Sequence, residues 1–332
     1  MAISYSRNER IYPIVESTFG VIPTFTGANN CKFKKVKLKP IVARLTRTDK
    51  TGVRSEPLGV GGRRSATWSV DMSLAPNGTP GVAPDCDPIL QAIFGQAPTI
   101  VSSTSVTYNL SDAIKSFSLP SYRTPSTMMQ RIAAGCVVTD ATFNFGQDVA
   151  DWQANGKAYW VVDSKNFATL DTPGKCGLAS WPDEPSTPVT NGPMIAGFTG
   201  VATFDTNVLA NILTASVKIA SANDIPLNTF GTYYGDLPEG DVRVVSLTFV
   251  LKDKDESATS NLYQKAITKA PITVILQSGT AAGSIATLTL KGIQLDVPDL
   301  DDNQRAWTAN FGESTAHPST PAALDEVTLA FT

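Results

Sequence analysis

One histidine, four cysteines and no long apolar run occur in 332 residues, and each scarcity closes a route. With His317 alone, a Cys/His metal site fails on ligand count and spacing. A serine triad built on it lacks the G-x-S-x-G elbow, so an exposed loop histidine is the simpler reading. Cys31, Cys86, Cys136 and Cys176 lie far apart with no C-x-x-C pair, which in a reducing compartment points to buried free thiols. No stretch approaches the roughly 18 apolar residues a membrane helix needs, and MAISYSRNERIY lacks the apolar core of a signal peptide. Synthesis in a cytoplasm, without a membrane, is the expectation. A net charge of −3 gives no electrostatic case for tight duplex binding. Wholesale disorder is excluded in turn, because 42% of residues are hydrophobic and 17% charged.

Helical periodicity is also scarce, and two-residue alternation takes its place. Trp68, Val70, Met72 and Leu74 alternate with Thr67, Ser69, Asp71 and Ser73. Val106, Tyr108 and Leu110 alternate with Ser105, Thr107 and Asn109; Ala141, Phe143 and Phe145 alternate with Asp140, Thr142 and Asn144. Each reads as a strand with one apolar and one wet face, as in antiparallel sheets. From Ile285 to Val297 the alternation changes phase at Gly292, which predicts a bulge there. Convincing helices are short, over Pro88–Phe94 and Asn261–Thr268. The class is mainly β.

Internal repetition organises the chain. A strand ending LTRTD (Leu45–Asp49), a Gly-rich loop, strand Thr67–Leu74, helix PILQAIF and DWQANGKA (Asp151–Ala158) succeed one another. The second half answers with ASAND (Ala220–Asp224), a loop holding Gly235 and Gly240, strand Val244–Leu251, helix NLYQKAIT and AWTANFGE (Ala306–Glu313). W-x-A-N closes both halves, at Trp152–Asn155 and Trp307–Asn310. The order predicts two tandem β-sandwiches of about 130 residues, each with a short flanking helix. The boundaries are 1–34 for an amino-terminal arm, 35–162 and 206–332 for the sandwiches, and 163–205 for a Pro/Gly-rich linker or surface loop.

The stretch LGVGGRR (Leu58–Arg64) invites a phosphate-loop reading, but a strand follows it and the G-x-x-x-x-G-K-[ST] spacing is missing. Its glycines are expected as positive-φ turn positions at a strand entrance. Asp85/Asp87 and Asp301/Asp302 are carboxylate pairs, but Asp85 most simply precedes a helix, where acids stabilise the free N–H groups. DVPDLDD (Asp296–Asp302) gathers carboxylates without EF-hand spacing, leaving a calcium site as a minor alternative. No catalytic residue, cofactor or metal is assigned. CKFKKVKLK (Cys31–Lys39) is either a solvated edge strand kept from unwanted pairing or a basic surface for the acidic DVPDLDD of a second copy. The contacts for the latter would be Lys34, Lys35 and Lys37 with Asp299, Asp301 and Asp302.

YPIVESTFGVIPT (Tyr12–Thr24), SEPLGVGGRRSATWSVDMSL with PDCDPILQAIFG, and GCVVTDATFNFGQDVADWQANGKA (Gly135–Ala158) resemble, in this order, the tail tube proteins of long-tailed, non-contractile bacteriophages. The likeness runs over nearly the whole chain except 163–205 and the extreme carboxyl end. It implies β-sandwiches with a short helix, whose sheets join between subunits into a continuous inner barrel. It also implies a virion structural protein, not an enzyme, whose rings stack into the tail tube around a tape measure protein. Tail terminator and distal tail proteins would close the ends, and double-stranded DNA would pass without sequence-specific binding. Two domains per chain imply a trimeric ring with pseudo-sixfold symmetry, in place of the hexamer of single-domain members. The family's long loop between the first two strands matches Arg47–Ser65, with Arg47, Arg54, Glu56, Arg63 and Arg64 as expected inter-ring contacts. Thr67, Ser69, Asp71 and Ser73, with Ser246 and Thr248, are expected to face the bore, whose small hydroxyls and acid would let DNA slide where lysines would trap it. Val244 and Val250 fall on that same face and are not polar. A different class, a carbohydrate- or receptor-binding sandwich, would use Trp181 in SWPDEP as an aromatic platform.

Overall fold

The computed structural model describes all residues except 1–4, 47, 49–51, 53, 57, 187–191, 256, 303–305 and 321. Alternation builds a mainly β molecule. After the short strands β1 (Glu9–Ile11) and β2 (Ile14–Val15) comes a long hairpin, β3 (Lys35–Leu45) and β4 (Val60–Ser73). Helix α1 (Asp87–Phe94) follows, then β5 (Thr99–Val101), β6 (Ser105–Asn109), β7 (Phe117–Arg123), β8 (Arg131–Phe145), β9 (Asp151–Ala158) and β10 (Trp160–Asp163). The second half opens with β11 (Val201–Phe204) and β12 (Asn207–Val208), then the hairpin β13 (Ile212–Ala220) and β14 (Val244–Lys252). Helix α2 (Ser257–Thr268), β15 (Ile272–Ser278), β16 (Ala286–Ile293), β17 (Asp299–Asp301), β18 (Thr308–Thr315) and β19 (Val327–Phe331) complete it.

The strands form two antiparallel sheets that share one apolar core. The first runs β17-β18-β14-β13-β8-β9-β4-β3, with β7, β10, β1 and β2 attached along the amino-terminal part of β8. The second runs β12-β11-β15-β16-β19-β6-β5. Each sheet therefore draws strands from both halves: β8 pairs with β13 in the first, and β6 with β19 in the second. Trp68, Val70 and Met72 of β4, Phe94 of α1, Tyr108 of β6, Phe249 of β14 and Leu288 of β16 all bury into the common core. Aromatic contacts tie the layers, with Phe249 4.7 Å from Phe204 of the opposite sheet and stacked 4.4 Å from Phe311.

Several expectations meet a local correction. Helix α2 starts four residues before Asn261, at Ser257. The phase change in β16 is a bulge, and Gly292 holds φ +59 with its Cα against the His317 carbonyl, where a Cβ would sit at 2.3 Å. Gly61 and Gly62 are not turn residues but lie inside β4, and no positive φ occurs at Gly59, Gly61 or Gly62. Gly59 and Gly62 serve close approach instead: a Cβ on Gly59 would meet Arg44 Nε at 2.6 Å, and one on Gly62 would meet Leu45 Cγ at 3.0 Å.

The two W-x-A-N copies occupy different places. Trp152 is buried in β9 opposite Met72, whereas Trp307 precedes β18 and is 56% exposed. Phe311 takes the position of Trp152, opposite Phe249 as Trp152 is opposite Met72. The two copies thus differ in register by four residues, an even shift that keeps the same side of the strand facing the core. Residues 163–186 are no loose linker: Glu184 pairs with Arg10, Tyr122 donates to the Pro182 carbonyl at 2.9 Å, and Cys176 is buried beside Tyr12 and Trp160 in a second, smaller core. All four cysteines are buried and free.

Candidate assembly surface

The first sheet is built twice from one four-strand pattern. In the first half the order is β3-β4-β9-β8, and in the second it is β13-β14-β18-β17. Lys35 opposite Asp71 corresponds to Ser216 opposite Thr248, and Lys37 opposite Ser69 to Lys218 opposite Ser246. Inside the chain, the last strand of the first pattern, β8, pairs with the first strand of the second, β13, over Phe145–Asp140 and Ala215–Ala220. The corresponding first and last strands, β3 and β17, are the two outer edges: among the described residues β3 pairs only with β4 and β17 only with β18.

These edges carry opposite charge. Lys35, Lys37 and Lys39 stand exposed along β3. Asp299 and Asp301 stand exposed on β17, with Asp302 just beyond it. Lys34 is set apart from this group, since it pairs within the chain with Asp151 at 2.5 Å. Asp296 pairs with Lys269 at 3.5 Å. No group of three His, Cys, Asp or Glu side chains suited to a metal ion occurs among the described residues.

The wet face of the sheet holds the residues expected to line a bore. Thr67, Ser69, Asp71 and Ser73 lie opposite Lys157, Asn155, Gln153 and Asp151 of β9, and the face continues through Asp140, Thr142 and Asn144 to Ser216 and Lys218. Ser246 and Thr248 share this face, Ser246 largely covered and Thr248 half-buried, with Val244 and Val250 beside them. Register puts Lys35, Lys37 and Lys39 on it as well. The face is therefore mixed in charge rather than free of lysine. The alternation in β4 located the hydroxyls, but only cross-strand register brings the lysines beside them.

The ribbon β3–β4 extends past the body of the sheet, with Ile41, Val42, Leu45 and Val60 exposed and Leu58 at 90% exposure. Of the residues expected on this arm, Arg47 lies outside the described residues, and Arg54 and Glu56 are exposed, Glu56 with Arg44 3.4 Å away. Arg63 sits half-buried within β4. Arg64 is turned inward: its Nη1 donates to the Tyr234 hydroxyl at 2.7 Å and lies 3.5 Å from Asp171, and its guanidinium stacks on Trp160, Tyr233 and Tyr234. It clamps the β13–β14 loop and segment 163–186 to the first half. Only contacts distant in sequence reveal that role.

Glu16, in the E-S-T-F-G stretch, escaped sequence reasoning. Its buried carboxylate accepts from Ser118 Oγ at 2.6 Å, Gly135 N at 2.7 Å, Ser116 Oγ at 2.8 Å and Gly20 N at 3.0 Å. Burial pushes its pKa up, and the four donors pull the other way without prevailing. It fixes the amino-terminal segment to β7 and β8, a buried acid doing structural work. Trp181 is half-buried and set edge-on to Phe167 at 6.0 Å, which is not an open aromatic platform. His317 is exposed. Among the described residues, no helix is long and apolar enough to cross a membrane. No family model matches the chain, and no curated protein matches it.

Proposed function

We propose that this chain is a self-assembling structural protein of the tail-tube kind, three copies of which close into a ring by pairing β17 of one copy with β3 of the next. One observation carries the proposal: the pairing needed between copies already exists once inside each chain, as β8 on β13. Repeating it extends the first sheet without a new kind of contact. It also removes two open strand edges, which otherwise invite uncontrolled pairing. Equivalence of Asn144 with Asp299 and of Ser216 with Lys35 sets the register, so that Lys35 of one copy stands opposite Asp299 of its neighbour.

Two patterns per chain and three chains give six repeats around an axis, with the mixed-charge face turned to the bore. Nearly balanced lysines and aspartates there attract DNA less than a lysine wall would, in keeping with a conduit for a passing genome. The exposed apolar arm suits contact between stacked rings, because a patch of this kind on a soluble chain marks an interaction site. A location in the virion tail, after assembly in a host cytoplasm, belongs to the same proposal.

The test is the purified chain in negative-stain and cryo-electron microscopy over a concentration series. Hollow tubes of uniform width with three chains per ring are the expected result. A chain that stays monomeric at high concentration, or pairs through the other sheet, would overturn the proposal.

A further inference from the structure

The repeat places two loops at one end of the first sheet and two clefts at the other. Loops 46–59 and 221–243 leave where Leu45, Val60, Ala220 and Val244 lie. At the opposite end, beside the start of β13, a cleft of about 580 Å³ is lined by Phe145, Phe198, Val201 and Ile212. Beside the start of β3, a cleft of about 670 Å³ is lined by Arg7, Arg10, Lys32, Lys34, Lys35 and Glu9. The two clefts are counterparts, yet the one beside β13 is lined by no basic side chain and by the acid Asp148, while the other gathers Arg7, Arg10, Lys32, Lys34 and Lys35 against Glu9. Arg10 and Lys34 are answered within the chain by Glu184 and Asp151, and Lys35 faces Asp299 of the ring neighbour in the proposed junction, while Arg7 stands exposed at the mouth of the cleft.

The loops differ in the complementary sense. Loop 221–243 holds Asp224, Asp236, Glu239 and Asp241 against Arg243 alone. Asp224 pairs with Lys157, and Asp236, Glu239 and Asp241 are exposed. Beside them Phe230, 98% exposed, and Leu237 and Val242 present apolar surface. Loop 46–59 carries Arg47, Lys50 and Arg54 against Asp49 and Glu56.

We infer that the acidic loop 221–243 of one copy seats in the basic cleft beside β3 of a copy in the next ring, so that second halves stand on first halves along the tube. The inference rests on the proposed ring and adds the stacking register. A loop at one end meeting a cleft at the other is a head-to-tail contact, which does not close and so propagates. Opposite charge selects the partner, whereas placing loop 46–59 on the same cleft would set cation against cation. Each ring is then turned by one half-chain relative to the ring below.

Full-length chains with Leu237→Cys and Arg7→Cys, assembled and mildly oxidised, test this directly. A ladder of disulfide-linked multimers is expected in tubes, and none from Leu58→Cys with Arg7→Cys. The reverse result would overturn the register while leaving tubes intact. An unaltered chain that forms neither rings nor tubes would instead remove the ring proposal, and this inference with it, whereas rings that never stack would overturn this inference alone. In parallel, D236K/E239K/D241K is expected to give rings of normal mass that need at least about tenfold more protein to stack. Stacking at the unaltered concentration would likewise refute the contact.

Discussion

Exchange of one charge pair across the proposed junction gives a quantitative test of ring closure. Lys35→Glu places like charges opposite one another wherever β3 meets β17, and Asp299→Lys does the same from the other side. A cross-strand ion pair contributes roughly 0.2–1 kcal/mol, and if a like pair costs as much, reversal shifts each junction by about 0.4–2 kcal/mol and a three-junction ring by roughly 1–6 kcal/mol. Because three chains make one ring, the half-assembly concentration rises with the square root of that factor, roughly 3- to 150-fold at 1.4 kcal/mol per decade. Sedimentation velocity over a dilution series at low salt reads this shift. The double exchange, K35E/D299K, restores the pair with its sign inverted and should return assembly close to the unaltered concentration. The gap between single and double variants should shrink near 1 M salt, where screening acts over about 3 Å. Single variants that assemble like the parent, or a double variant worse than both, would refute the register taken from β8 and β13.

Replacing 46–59 with a short Gly-Ser bridge should leave folded rings that no longer elongate, seen as discs without tubes by electron microscopy. Glu16→Ala strands two buried backbone N–H groups, those of Gly20 and Gly135, and should cost about 2–6 kcal/mol in urea unfolding at about 1–3 kcal/mol per orphaned donor. Trp152→Ala should cost about 3–5 kcal/mol, from the size of the cavity left, whereas Trp307→Ala should stay within about 0.5 kcal/mol; equal losses would mean the two tryptophans are equivalent after all. Lys291 and the Ser319 N–H hold the Asp325 carboxylate down to about 2 from 3.8. A lowered acid adds stability above its unfolded value and loses it as pH falls through the folded one. The Asp325–Lys291 contribution should thus fade between about pH 4 and pH 2, so that the stability difference between the parent and Asp325→Asn in urea unfolding shrinks over that window.

Much of this molecule is written in local alternation. Trp68, Val70 and Met72 against Thr67, Ser69 and Asp71 fix which side of β4 is buried, since side chains in a strand can only alternate. Gly292 announced its bulge because two apolar phases cannot share one strand without an extra residue. The succession of strand, loop, strand and helix in both halves was legible too, as was the opposite charge of CKFKKVKLK and DVPDLDD.

Position across the sheet was not legible. That the lysine run and the aspartate run occupy opposite outer edges depends on β8 choosing β13 as its neighbour, a pairing between residues some 75 apart in the chain. The same long-range order sets Lys35 beside Asp71, draws Arg64 from an expected arm contact into a cluster with Tyr234 and Asp171, and gives Glu16 its four donors. Side-chain alternation is a property of neighbouring residues and travels with the sequence. Edges, clefts and the partners of buried charge arise only when distant strands meet, and the tertiary structure alone decided them.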